Sequence, residues 1–424
     1  MLTAIVGTNW GDEGKGRMVD LLSKEYDIVV RFQGGNNAGH TVVVDNKGDF
    51  ILNLIPSGAL QEAIVNVIGT GVVVDLAHLC GEIDNLNSKG IPVTPENLVI
   101  SDRATICMPY HKQQDILEEE RLGDKKFGSM RRGIGPVYSD KLSKKVLRMG
   151  DLFDLERQKD RINDLLEWKS LVLDGGYKAG DVNFDSTYSW LEQYAEKLKP
   201  FIKNTTEYLA TAMREDKKIL FEAQLGALKD IDYGIIPFTT SSQTLSSYAT
   251  TGAGIPWARL DNVIGIMKAY SSAVGEGPFL AEIFGEEADK LRELGSEFVP
   301  ASARPCRVGG FDVVASSYGV KIQGATEVVL TKLDVLSYMD KIPVCVAYEI
   351  DGKVTKTFPY GKALDRAKPV YEYFAGWKQD ISDVRNFDEL PDQAKRYVEY
   401  IEQEINCRIS LISVGAERES YIRR

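Results

Sequence analysis

The segment Gly7-Thr8-Asn9-Trp10-Gly11-Asp12-Glu13-Gly14-Lys15-Gly16-Arg17 crowds glycines, two adjacent carboxylates and two cations into one turn. Glycines there let backbone N–H groups approach a phosphate, and a following helix N-terminus favours the anion. Lys15 adds a point charge. This is not a Walker A loop, which needs Gly six places before the Lys and Ser or Thr after it. Here those positions hold Asn9 and Gly16. Standing alone, such a segment is only a glycine-rich turn. The carboxylates change that, because a carboxylate beside phosphates is repelled unless it binds Mg²⁺ or takes a proton from substrate. A second segment, Gln33-Gly34-Gly35-Asn36-Asn37-Ala38-Gly39-His40-Thr41, places His40 among small polar residues. A lone histidine is commonly structural, but one in such a loop can reach a ligand.

Both segments follow apolar runs that read as strands, Thr3 to Val6 and Asp27 to Phe32. Gly14 to Leu22 reads as a helix. Thr41 to Val44 and Phe50 to Leu54 flank a turn at Asn46, Lys47 and Gly48, which predicts a hairpin. Further strands are expected within Ala63 to Val74, at Leu98 to Ser101, Ile219 to Phe221, Glu327 to Leu330, Val344 to Ile350 and Ile409 to Ile412, with a helix near Leu76 to Leu86. Residues 112–122 are charged and helical. Residues 123–137 are basic, glycine-bearing and without periodicity, and read as a mobile loop. Residues 151–217 carry amphipathic helical patterns and few strand signals, so a mainly helical insertion is expected there. The alternation predicts an α/β fold: a large, mostly parallel central sheet covered by helices, with small hairpins. No linker divides the 424 residues, and a single domain spanning 1–424 is expected.

Net charge is −11, which argues against non-specific nucleic-acid binding but not against a small anion in a locally basic pocket. The five cysteines are scattered without a CxxC pair, and the histidines are only His40, His78 and His111. A disulfide scaffold or a zinc site is therefore not expected. The start MLTAIVGTNW lacks the basic residues and long apolar centre of a signal peptide, and no apolar run reaches the length of a membrane span. A cytoplasmic protein, away from membranes, is expected.

Beyond these two segments, the chain carries LIPSG at 54–58, RGIGP at 132–136, DIDYG at 230–234, TSS at 240–242, TKLDVL at 331–336 and YE at 371–372. In this order and register it closely resembles the adenylosuccinate synthetase family, from residue 2 to about residue 420. The resemblance implies a GTP- and Mg²⁺-dependent carbon–nitrogen ligase joining IMP to aspartate. It implies Asp12 as the base and a metal ligand, His40 as the acid on the transferring phosphoryl group, Lys15 as a neutralising charge and Gly39 as a carbonyl ligand of the metal. It assigns the GTP site to Gly11, Glu13, Gly14, Gly16, Arg17, Gly39 and Thr41. In the base pocket it assigns Lys332, Leu333 and Asp334, closed by Ser413, Val414 and Gly415. Asp334 would select guanine over adenine. Without the family, TKLD would be the end of a core strand. For the acceptor it implies Asn37, Ala38, Ser129, Met130, Lys144, Gln224, Leu225 and Thr240, and for the amine Ser302, Arg304 and Cys306. A homodimer is implied, because the family's acceptor site takes a basic residue from its partner and Lys144 stands at that position.

The nucleotide half follows the family pattern and the acceptor half departs from it. Met130 replaces a threonine near the acceptor phosphate, Lys144 an arginine, and Leu225 a glutamine that contacts IMP. The amino-acid loop keeps two of four arginines, with Cys306 at one lost position, and Ala273 stands where an arginine is usual. Each lost charge-assisted hydrogen bond is worth roughly 1.5–3 kcal/mol. Two readings therefore stand beside the ordinary ligase: a paralogue with another acceptor or amine, and an inactive GTP-binding relative.

Overall fold

The computed structural model describes residues 1–37, 39–44, 48–180, 182–298 and 304–424. Ten strands form the central sheet. In order across it they are Tyr421–Arg423, Ile409–Ser413, Glu327–Thr331, Asn262–Lys268, Leu2–Gly7, Ile219–Glu222, Ile28–Arg31, Val65–Ile68, Leu98–Ser101 and Ile202–Lys203. Every neighbouring pair is parallel except the edge strand Tyr421–Arg423 on Ile409–Ser413. The inner strands are continuous buried runs, as a parallel sheet covered on both faces requires. The expected α/β architecture is therefore present.

One inner strand escapes the sequence pattern. Asn262–Lys268 pairs with Leu2–Gly7, yet Gly265 in its middle looks like a turn residue. A Cβ at Gly265 would stand 2.8 Å from Thr8 Cγ2, so glycine is there to let the loop after the first strand lie close. Lys368–Ala375 is a second unforeseen strand, antiparallel to Lys341–Ile350 in a smaller sheet. The hairpin appears as His40–Val44 paired with Gly48–Leu52.

The block 151–217 contains the helices Lys159–Tyr177, Phe184–Leu198 and Thr205–Arg214, and also the short edge strand Ile202–Lys203. A buried polar network locks the first of these onto the body. Lys169 Nζ lies 2.6 Å from Asp140 and donates to Gln114 at 2.7 Å, while His111 Nε2 donates to Asp140 at 3.1 Å. His111 Nδ1 accepts from the Met108 N–H, which fixes the tautomer, and burial lowers its pKa to about 4. The network joins Pro109–Leu122, Ile134–Leu142 and Lys159–Tyr177.

The mobile loop expected at 123–137 requires correction. Gly123–Lys125 is a 3₁₀ turn, and helix Ile134–Leu142 begins inside the interval. The residues between are pinned by carboxylates of the preceding helix. Glu119 accepts from Phe127 N and Gly128 N, and Asp115 accepts from Ser129 Oγ at 2.7 Å and Gly133 N at 2.8 Å. Local periodicity is blind to such capping from another element.

Candidate active site

Six parallel strands end side by side at Gly7, Arg31, Glu222, Lys268, Thr331 and Ser413. The loops beyond them carry most of the predicted site residues, at the carboxyl edge where open α/β sheets bind ligands.

After Gly7 the chain makes a cradle. Gly11 (φ 98°), Asp12 (φ 57°) and Gly14 (φ 92°) take positive φ before helix Lys15–Ser23, whose N-terminus no side chain caps. Such uncapped first-turn N–H groups suit an anion. Glu13 holds the loop. Its carboxylate accepts from Asn9 N at 3.1 Å and Gly11 N at 3.0 Å and pairs with Lys15 Nζ at 2.5 Å. Gly16 is needed for close approach, because a Cβ there would lie 2.6 Å from His40 Cβ.

His40 is thereby packed over the helix start. Its Nδ1 lies 2.5 Å from Glu222 Oε1 and 3.0 Å from Arg31 Nη1; the carboxylate, which can only accept and is the nearer, makes Nδ1 the donor and leaves Nε2 unprotonated in the neutral ring. Arg31 pairs with the same Glu222 at 2.8 Å, and Ser57 donates to it through N and Oγ. Burial and the Arg31 cation lower the pKa of His40 to about 4. Burial opposes ionisation of Glu222, but Arg31 and His40 hold it well below the usual carboxylate range.

Asp12 opens into a cavity of about 750 Å³. Among the described residues no hydrogen bond or ion pair holds its carboxylate. The protein crowded around its other sides raises its pKa, against the pull of Lys268 and Lys15. Asn37, Gly39, Ser129, Met130, Leu225 and Thr240 line the same cavity. Thr41 lies in the adjoining hairpin strand. Gln224 does not present its amide to the cavity: it donates to the Gly35 and Asn53 carbonyls and acts as a strut. Lys144 is exposed at the end of helix Ile134–Leu142 and is not part of the cavity lining. Ala38 and Ser302 lie outside the described residues.

The base-pocket residues come together from three loops. Arg17 Nη1 donates to Ser413 Oγ at 2.8 Å and the Gly415 carbonyl at 2.6 Å, and Leu333 N donates to the Ser413 carbonyl. Val414 is buried beside them. Asp334 is partly buried there. Burial raises its pKa, and Arg17 opposes the rise. Lys332 turns towards Glu297, at 3.1 Å. Glu297 also receives Lys268 at 2.7 Å and Tyr270 at 2.5 Å. Cys306 is buried near this group, its thiol pushed up to about 11 by burial and by Glu297. Arg304 is exposed and lies 3.4 Å from Glu276.

Sequence reasoning missed Arg31, Glu222, Lys268, Glu297 and Lys229. All but Glu297, which follows helix Glu286–Gly295, end or follow a strand, and a charge at the end of an apolar run is the signal that could have found most of them.

Fold and site together define a phosphate-handling α/β enzyme with a free carboxylate and a histidine beside one anion cradle. Residues 4–422 match the adenylosuccinate synthetase family model. The chain is 44% identical over 422 residues to the adenylosuccinate synthetase of Caldanaerobacter subterraneus subsp. tengcongensis, covering 99% of this chain and 98% of that protein. Identity to the enzyme of Fusobacterium nucleatum subsp. nucleatum is 43% over 419 residues, with the same 99% and 98% coverage. The structure of fully ligated adenylosuccinate synthetase from Plasmodium falciparum matches with a TM-score of 0.93 at 35% identity, over 100% of this chain and 99% of that one. The chain belongs to the adenylosuccinate synthetase family. The readings of a paralogue with another substrate and of an inactive relative gain no support from these matches.

His40 and His111 both have folded pKa values near 4, below the ordinary 6.5. The unfolded chain therefore takes up protons first as pH falls. Between about 6.5 and 4 the ligand-free protein should lose up to about 1.4 kcal/mol of stability per pH unit for each imidazole. Buried Glu82 and Asp312, raised to about 7 and about 6, act in the opposite sense over the same window. Urea unfolding therefore checks this by difference: His111→Asn should lose less stability than wild type as pH falls, and equal slopes in the two proteins contradict it.

Proposed function

We propose that this chain joins IMP to L-aspartate at the expense of GTP, forming adenylosuccinate, as a cytoplasmic homodimer. The observation that supports it best is Asp12. A carboxylate with a raised pKa and no internal partner faces the cavity beside an anion cradle that Lys15 and His40 border. In this reading Asp12 removes the N1 proton of the 6-oxopurine, and O6 attacks the γ-phosphate of GTP. The amine then attacks C6 and the 6-phosphoryl group leaves as phosphate. The first transfer turns a poor leaving group, a carbonyl oxygen, into a good one. His40, held by Glu222, presents Nε2 to the transferring group and donates a hydrogen bond to it once protonated beside phosphate.

Mg²⁺ fits the donor set, because the Asp12 carboxylate is uncommitted and Gly39 lies at the cavity wall. Mg²⁺ commonly takes one or two protein oxygens and fills its shell with phosphates and water. Asp12 and the Gly39 carbonyl would hold it, and it would offset the phosphate charge. Asp334 accepts the N1–H and N2–H of guanine in the pocket built by Arg17, Leu333 and the Ser413–Gly415 loop, whereas adenine presents an acceptor N1 that the carboxylate repels.

Replacing Asp12 by Ala should lower kcat by about 10²–10⁴-fold with the fold intact. Turnover near that of the wild type would end this assignment. GTP should be used far better than ATP, and Asp334→Asn should erode the preference; equal use of the two nucleotides by the wild type would show that the pocket is misassigned. Lys144 stands exposed beside Leu142, which is 82% exposed, and this supports a role towards a second copy. Light scattering should return a dimer mass, and a monomer at assay concentration would refute the shared site.

A further inference from the structure

Lys229 is half-buried in the cavity wall, in the loop after strand Ile219–Glu222. Its ammonium donates to the carbonyls of Phe238 at 3.1 Å and Val274 at 3.3 Å. Among the described residues no carboxylate lies within ion-pair distance of it. A cation so placed is an anion site awaiting a ligand, because two neutral carbonyls satisfy its hydrogen bonds without cancelling its charge.

Of the other cations near the reaction centre, Lys15, Lys268, Lys332 and Arg307 are committed, whereas Arg132 lines the cavity with no ion pair among the described residues. Lys15 pairs with Glu13, and Lys268 and Lys332 share Glu297. Arg307 holds Glu282 through Nε and Nη2 and the Gly277 carbonyl through Nη1. Cys306 is a neutral thiol. Val274, which Lys229 grips, follows Ala273, and Ala273 pairs with Arg307 across the ribbon Ser271–Ala273 and Arg307–Gly309. Lys229 therefore sits beside the segment that carries Cys306, and its field reaches both Asp12 and Arg307.

We propose that Lys229 binds a carboxylate of the amine substrate and replaces, from another loop, the charge that Cys306 cannot supply. The inference rests on the ligase reading above. The choice of carboxylate over acceptor phosphate follows from geometry. The amine must approach C6 of the purine, next to the atoms that Asp12 and the γ-phosphate engage. The 5′-phosphate of the same nucleotide is at the far end of that molecule. A cation held on the Val274 carbonyl, beside the ribbon into which Cys306 leads, belongs to the first end.

The test is steady-state kinetics on the full-length protein carrying Lys229→Met or Lys229→Arg, with thermal midpoints measured alongside. The KM for aspartate should rise about 10–100-fold in Lys229→Met, with the KM for IMP and GTP within about threefold of wild type. Lys229→Arg should recover most of that loss, which a merely structural lysine would not predict. An increase confined to the KM for IMP would assign Lys229 to the phosphate and overturn the proposal. Unchanged constants would overturn it as well. If Lys229→Met lowers the thermal midpoint, Lys229→Arg decides: a normal aspartate KM supports the role, and a raised IMP KM refutes it. Should the wild type refuse aspartate, the ligase reading fails by itself. The proposal is then judged on the amine the wild type does use. A carboxylate-bearing amine must lose affinity in Lys229→Met, and an amine without a carboxylate would overturn it.

Discussion

Glu222 is the group on which the reactive edge of the sheet depends. It ends a central strand, directly opposite Arg31 on the next one, and neither side chain is accessible to solvent. Two buried charges are tolerable only when paired and hydrogen-bonded, because desolvation otherwise costs more than their attraction returns. Here both carboxylate oxygens are engaged. Arg31 takes one side, His40 another, and the Ser57 backbone and hydroxyl both donate as well. Arg31 in turn donates to the Asn53 carbonyl, and Gln224 donates to the same carbonyl. One carboxylate thus ties together two strands, the hairpin that starts at His40 and the 54–58 turn. It also sets the tautomer of the histidine, so a scaffolding contact decides which nitrogen faces the phosphate site.

The cradle after Gly7 solves a related difficulty. An empty phosphate site is a concentration of positive charge and unsatisfied N–H groups. Glu13 supplies part of the missing anion from within the loop. It satisfies two backbone N–H groups and neutralises Lys15, while the uncapped start of helix Lys15–Ser23 stays open. Gly7 and Gly226 make room for that carboxylate, since a Cβ at either would lie about 2.5 Å from a Glu13 oxygen. The adjacent carboxylates of the loop are thus divided in function by their surroundings. Glu13 is enclosed and shapes the backbone, whereas Asp12 is turned outwards by its left-handed conformation and left without an internal partner.

What the sequence disclosed follows from which forces are local. Runs such as Ile28–Arg31 and Ile219–Glu222 are legible because a doubly covered parallel strand must be apolar throughout. The glycine loops are legible because phosphate binding needs backbone geometry that few residue types allow. Asn262–Lys268 was hidden because Gly265 answers to Thr8, far away in the chain. The pinned loop at 126–133 was hidden for the same reason: its order comes from Asp115 and Glu119 on another helix. The pairing of Arg31 with Glu222 spans 191 positions, and no spacing rule could announce it. The internal bonds of Glu13 and Gln224 were equally hidden, because a motif reports where a residue stands and not what it holds.

The departures in the acceptor half are best understood as a redistribution of charge. Around Glu297 the chain keeps a self-contained cluster of two lysines and a tyrosine, and Lys268 and Lys332 hold its carboxylate well below the ordinary range in spite of burial. The neutral thiol of Cys306 adds no third cation there. On the proposal for Lys229 the cation is instead anchored on backbone carbonyls, which carry no charge and so do not compete with an incoming carboxylate. The same reasoning accounts for Arg307, whose pairing with Glu282 removes it from the pool of available cations. Counting arginines in a loop therefore misjudges the site. Affinity follows from which cations remain unneutralised in three dimensions, and that depends on partners contributed by other strands.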